Sequence, residues 1–265
     1  MYRFPPKQRT LVLGETIEFV SAGRGASRVV LVNGSGGPIE GWHKVFGAVA
    51  EFATVFAYNR AGVGGSSKAR VPQVGSHAVN SLRATLRAAK LSPPYVLVGH
   101  SLGGLIVNLF ARLYPSEVSA AVLIEATAIT DISVLAQHEN TVQRFLSGLL
   151  NRIAPPSPNA ESQHVRATVA ELEVAPPFPA IPLNVITGGK PAMAWATPPE
   201  AIAARRASQQ QLAGLSPLGK QTMATNSGHF PQFTEPQLVI AAVAEAANWV
   251  ARSFQLPAPT PMPLS

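Results

Sequence analysis

The sequence predicts an α/β fold: a mostly parallel central sheet with helices on both faces, and a helical cap inserted between late strands. Three observations carry this expectation. From about residue 28 to residue 125, short continuous apolar runs such as "VVLV" alternate with segments of helical period. Runs that are apolar on both sides suit parallel strands covered by helices on both faces. The alternation breaks between about 126 and 180 and returns at "PLNVITGG". Finally, the 265 residues are 46% apolar and 13% charged, enough for one sizeable core and too apolar for a disordered chain.

Taken in order, "TLVLG" and "TIEFV" read as a hairpin at a sheet edge. "SRVVLVNG" is a buried strand that runs into the Gly-rich loop "NGSGGPIEG"; "WHKVFGAVAEF" fits a helix and "ATVFAYN" the next strand. After a loop holding Gly62, Gly64 and Gly65, "VNSLRATLRAAK" has the spacing of an amphipathic helix. "YVLVG" is a strand, Leu102, Leu105, Ile106, Leu109 and Leu113 recur at helical spacing behind it, and "VSAAVLIE" is a further strand.

Residues 126–180 carry a helical stripe (Phe145, Leu146, Leu149, Leu150, Ile153) between the Pro-rich stretches "APPSPNA" and "VAPPFPAIP". The stripe needs a surface to cover, which favours a cap. "PLNVITGG" and, more weakly, "KQTMAT" resume the strands, and Thr234 with Gln237 forms a capping box, with Pro236 in the first turn of a closing helix. The expected organisation is a core of 1–125 and 181–255, a cap insertion of 126–180, and a flexible tail of 256–265.

Composition excludes several chemistries. With no cysteine there is no disulfide, thiolate nucleophile or Cys-based zinc site. The formal charge of +7 is scattered, densest in "SKAR" and "ARR" and with little aromatic interleaving, unlike the clustered footprint of a nucleic-acid binder. The charge reflects a shortage of acids, since Asp131 is the sole aspartate. No apolar run nears the roughly 18 residues of a membrane span. The N-terminus lacks an apolar h-region, so a mature, cytoplasmic chain is expected. A GxxxxGK[ST] phosphate loop and a strand-linked G-x-G-x-x-G are missing, and no cofactor or metal is expected.

Gly99-His100-Ser101-Leu102-Gly103 matches G-x-S-x-G, with an apolar strand running in and a helix running out. Such a strand-turn-helix elbow holds its serine in a strained conformation, oxygen exposed, beside the free N–H groups of a helix N-terminus. With this elbow, "VVLVNGSGG", "YNRAGVGGSS" and "SGHFPQFTEP" follow in an order that resembles the α/β-hydrolase superfamily, in its serine esterase and lipase-like branch. They resemble its oxyanion loop (usually His-Gly-rich), its D-R-x-G-x-G-x-S loop and its histidine loop.

A serine nucleophile needs a base, and the base an orienting carboxylate. Among six histidines, His229 lies after the last strand signal and before the last helix, at the edge where the serine should lie. His100 is too close to Ser101 in the turn to reach back and reads as packing beneath it; His43, His77, His138 and His164 read as surface or cap residues. The resemblance implies an acid after "PLNVITGG", but Lys190 and Pro191 stand there and no carboxylate appears before Glu200. Some branches, including certain haloalkane dehalogenases, place the acid one strand earlier, and "LIEATAI" resembles that arrangement. Glu125 is therefore the favoured acid, Asp131 the alternative, Glu200 a more remote one. The resemblance further implies an oxyanion hole from the N–H groups of Ser35 and Leu102, with Asn33 replacing the family's histidine.

The expected function is a serine hydrolase cleaving a carboxylic ester or related acyl bond of a small, partly apolar substrate. A carbon–carbon bond hydrolase, a lactonase or amidase, an acyltransferase, and a slow or non-catalytic ligand-binding member of the fold stay open as alternatives.

Overall fold

The computed structural model describes residues 3–130, 157–190 and 199–253. Within them, one eight-stranded sheet runs β1 (Gln8–Val12), β2 (Glu15–Ala22), β3 (Arg28–Val32), β4 (Thr54–Asn59), β5 (Tyr95–His100), β6 (Val118–Ile124), β7 (Leu183–Gly188) and β8 (Gly219–Ala224). The spatial order is β1-β2-β4-β3-β5-β6-β7-β8. β1 and β2 pair antiparallel, as do β2 and β4, and all later pairs are parallel. The expected edge hairpin turns at Leu13 and Gly14, both at positive φ (50° and 79°), the backbone that a tight two-residue hairpin requires.

The strands are apolar on both sides because both faces are covered. Val30, Val32 and Leu97 enter one core, whereas Val29, Leu31, Val96 and Val98 enter the other, the period-two alternation of a pleated strand. The first core holds α2 (Gly75–Ala88), α3 (Leu102–Leu113), α4 (Val165–Val174) and the end of α5 (Pro199–Ala213). The second holds α1 (Phe46–Ala50) and α7 (Pro236–Ser253), with Trp42, Phe46, Val239 and Val243 fully buried. α2 follows its expected apolar stripe, with Val79, Leu82 and Leu86 buried, and α3 follows its own at Leu102, Leu105, Ile106 and Leu109 but not at Leu113, which is exposed at the helix end.

Three local expectations need correction. "WHKVFGAVAEF" is not one helix: a 3₁₀ turn over Ile39–Trp42 precedes the short α1. Both His43 and Val45 donate to carbonyls three residues back, the tighter winding that lets Trp42 reach the core. Thr234 does not cap α7; it ends a four-residue helix, α6 (Pro231–Thr234), and its hydroxyl donates to Phe230 O. Glu235, just before α7, instead turns its carboxylate back to the Asn226 N–H and the Ser227 hydroxyl. Finally, α4 and residues following it, expected in the cap, lie in the helix layer against α2 and α3. The stripe from Phe145 to Ile153, His138, Asp131 and the 256–265 tail lie outside the described residues.

Candidate active site

β5 delivers Ser101 at φ 53°, ψ −122°, a region non-glycine residues occupy only when their surroundings enforce it. Here they do. Ser101 N–H donates to Ile124 O, and Ser101 O accepts from Gly104 and Thr127 N–H. A side chain at Gly99 would sit 2.7 Å from Gly103 O, one at Gly103 would fall on the Val32 and Asn33 carbonyls, and one at Gly104 on Ala126. The glycines let α3 fold directly back over β3, β5 and β6.

His229 stands on the loop between β8 and α6, with Nε2 3.1 Å from Ser101 Oγ and Nδ1 3.5 Å from Glu125 Oε2. The carbonyl of the same residue accepts from His100 Nε2 at 2.8 Å, so His100 lies under the elbow and fixes the loop that carries His229. Burial, aided by the neighbouring His229, pushes His100 down to about 3 from an ordinary 6.5. It is thus a neutral donor. With the ring so placed, His229 can take a proton from Ser101 at Nε2 while Nδ1–H faces the carboxylate.

Glu125 follows β6 with a left-handed φ of 44°. Its N–H donates to Ile186 O, and its Oε1 accepts from Gly188 N–H at 2.7 Å. Oε2 accepts from Arg205 Nη2 at 3.0 Å, closer than the His229 ring at 3.5 Å. Burial alone would raise this carboxyl. The contacts with His229, the Arg205 charge and the Gly188 N–H outweigh it and hold Glu125 down at about 2. The end of β7, where the resemblance implies an acid, therefore supplies an N–H donor to an acid from the preceding strand.

On the other side of Ser101 lies the loop Asn33–Gly37. Asn33 is buried and donates to Pro38 O at 2.5 Å, with Gly37 and Gly41 closed against it. The amide thus braces the loop where the family pattern has histidine. Arg60 Nη1 and Nη2 donate to Asn33 O and Gly34 O, while Glu161 binds the Arg60 guanidinium and accepts from Gly36 N–H at 2.8 Å. With Gly36 engaged by Glu161, Ser35 is the neighbouring loop residue whose N–H stays available. Neither it nor Leu102 N–H, at the first position of α3, donates to another group among the described residues.

The structure thus brings Ser101, His229 and Glu125 together, with Ser35 and Leu102 on the flanking loop and helix. Asp131 lies outside the described residues, and Glu200 is exposed in the first turn of α5. His77 turns to Glu15, His164 to Pro158 O and His43 to Glu40 O. Among the described residues no group of three or more His, Asp and Glu could hold a metal ion. Sequence reasoning missed Arg205, Arg60 and Glu161. Arg205 lies in the "ARR" cluster, and Arg60 in the D-R-x-G-like loop; Glu161 carried no signal at all.

A family model for the alpha/beta hydrolase fold matches residues 27–196. The chain is 32% identical over 104 residues to the uncharacterized protein YqjL of Bacillus subtilis, 38% of this chain and 41% of that protein. It is 28% identical over 153 residues to the 1-acylglycerol-3-phosphate O-acyltransferase ABHD5 of Sus scrofa, covering 57% and 41%. It spans about two fifths of the length of these curated relatives. Among solved structures it superposes on an enol-lactonase from Burkholderia xenovorans LB400 (TM-score 0.67, 16% identity, 91% of this chain and all of that one). A thermophilic esterase from Thermogutta terrifontis matches similarly (TM-score 0.66, 18% identity, 94% and 99%). At these identities the superpositions speak to fold alone.

Proposed function

The chain belongs to the α/β-hydrolase fold family, and on that premise we propose that it is a serine hydrolase of carboxylic esters or related acyl compounds. One observation carries the reading: His229 Nε2 stands 3.1 Å from a serine hydroxyl held in elbow geometry, with a carboxylate oxygen on the far side of the same ring. Ser101 Oγ attacks the acyl carbonyl as His229 takes its proton. The N–H groups of Ser35 and Leu102 receive the oxyanion, the terms that usually contribute most to such catalysis. His229 then protonates the leaving alcohol, and a water activated by the same ring releases the acid from the acyl-enzyme. Glu125 orients the ring and stabilises its protonated form. A small, partly apolar acyl substrate and a cytoplasmic setting complete the reading. Separately, among the described residues no helix is long and apolar enough to cross a membrane.

Turnover of p-nitrophenyl esters of graded chain length tests the proposal. The expected result is hydrolysis that Ser101→Ala lowers by about 10⁴-fold or more. Saturable ligand binding with no turnover, or turnover indifferent to Ser101→Ala, would overturn it. A second reading draws on the likeness to a relative named as an acyltransferase: an alcohol replaces water in deacylation. Product partition between acid and ester in the presence of an acceptor alcohol separates the two.

A further inference from the structure

Outside the three side chains just assigned, a guanidinium reaches the acid. Arg205, on the middle of α5, donates from Nη2 both to Glu125 Oε2 at 3.0 Å and to the Glu125 carbonyl at 3.1 Å. Glutamate has one more rotatable bond than aspartate, and this one hangs from a backbone at φ 44°. Its carboxylate therefore needs holding at both oxygens. Gly188 N–H holds Oε1 and Arg205 holds Oε2, the oxygen that also faces His229.

We infer that Arg205 is a positioning residue of the proposed triad: it fixes Glu125 Oε2 and balances its charge, so that His229 works against a neutral ion pair rather than a lone carboxylate. The inference rests on the serine-hydrolase reading. A nearly buried, unpaired carboxylate is costly, and a bonded cation offsets that cost. The same cation opposes the second positive charge that arises when His229 accepts the serine proton. Among the described residues, three further titratable groups stand near His229 or its loop. His100 of β5 lies beneath it, neutral, with ring centroids 5.0 Å apart. Lys190, after β7, meets the histidine loop through its backbone N–H to Ser227 O, its side chain exposed. Glu235 binds the foot of that loop at Asn226 and Ser227.

Covalent labelling by an alkyl fluorophosphonate tests this without knowledge of the substrate. Ser101 Oγ attacks phosphorus, the P–F bond breaks, fluoride leaves, and the hydroxyl proton passes to His229. In Arg205→Gln the acid limb of the labelling rate against pH should move up by about half a unit to one unit. Its plateau should fall about three- to tenfold, and Arg205→Lys should restore the limb. A limb that stays in place or moves down in Arg205→Gln overturns the inference, even where the plateau falls, because a purely structural role loses rate without moving the limb. Failure of the wild-type protein to label at Ser101 overturns the serine-hydrolase reading, and this inference with it. Normal wild-type labelling with an indifferent Arg205→Gln removes the inference alone.

Discussion

Around Ser101 the geometry is written in consecutive residues: Gly99, Gly103 and Gly104 let strand and helix close on each other, and the intervening chain has one place to go. Around Glu125 the geometry is assembled from three distant points, the end of β6, Gly188 at the end of β7, and Arg205 on α5. The first region excludes alternatives by steric contact. The second selects its geometry by charge and hydrogen bonding, which work only once the sheet has brought its parts together. The two should therefore break differently: the elbow when an atom is added, the acid corner when a charge is removed.

Removing the charge gives the largest expected effect. Glu125→Gln keeps the size of the side chain but leaves the His229 ring without an anionic partner. The acylation rate should fall about 10³- to 10⁴-fold with the fold intact by circular dichroism. Rapid-mixing kinetics on an activated ester measure it. If Glu125→Gln stays within a few-fold of wild type while Asp131→Asn takes the loss, Glu125 is not the acid of the proposed triad.

Adding an atom to the elbow should act on stability instead. The methyl of Gly103→Ala would meet the Val32 and Asn33 carbonyl oxygens, backbone atoms at the join of β3 and the Asn33–Gly37 loop that cannot move aside cheaply. Destabilisation by about 3 kcal/mol is expected, seen as a melting temperature lower by about 8 °C. A Gly103→Ala protein that melts with wild type would mean that α3 can lift off the sheet, and that the elbow is less constrained than its contacts imply.

This contrast also explains what could be read in advance. The eight strands, the two helix layers, Ser101 and His229 were legible because each announces itself locally, as an apolar run, a glycine spacing or a position between a strand and a helix. Glu125 was legible only by scarcity, since a chain with a single aspartate leaves few acids to choose from. Arg205 and Glu161 were not. Arg205 lies 80 positions from its partner Glu125, and Glu161 lies 101 from Arg60. Nothing in "ARR" or "NAESQ" distinguishes a hydrogen-bonded partner from a solvated charge. The capping box failed for a related reason: Thr234 closes the preceding four-residue helix, and α7 starts at Pro236, so that Glu235 stands at the position before it.

The two regions should also part company under acid. His100 sits at about 3 in the folded protein against an ordinary 6.5, so below pH 6.5 the unfolded chain binds a proton that the folded one refuses. Its contribution is complete above pH 6.5 and drains away as pH falls toward 3. Glu125 is held at about 2 against an ordinary 4.5, so its contribution is complete above pH 4.5 and drains only between there and pH 2. Lowering the pH therefore strains the elbow before it touches the acid corner. Between pH 7 and pH 5 the wild-type protein should lose about 2 kcal/mol through His100 alone, whereas Glu125 adds its share only below pH 4.5. Urea titrations at each pH measure the loss. In His100→Gln, whose amide can still donate to the His229 carbonyl, most of the loss between pH 7 and pH 5 should vanish. If that variant loses as much stability over this range as wild type, the acid sensitivity resides elsewhere and the buried histidine is not the elbow's weak point.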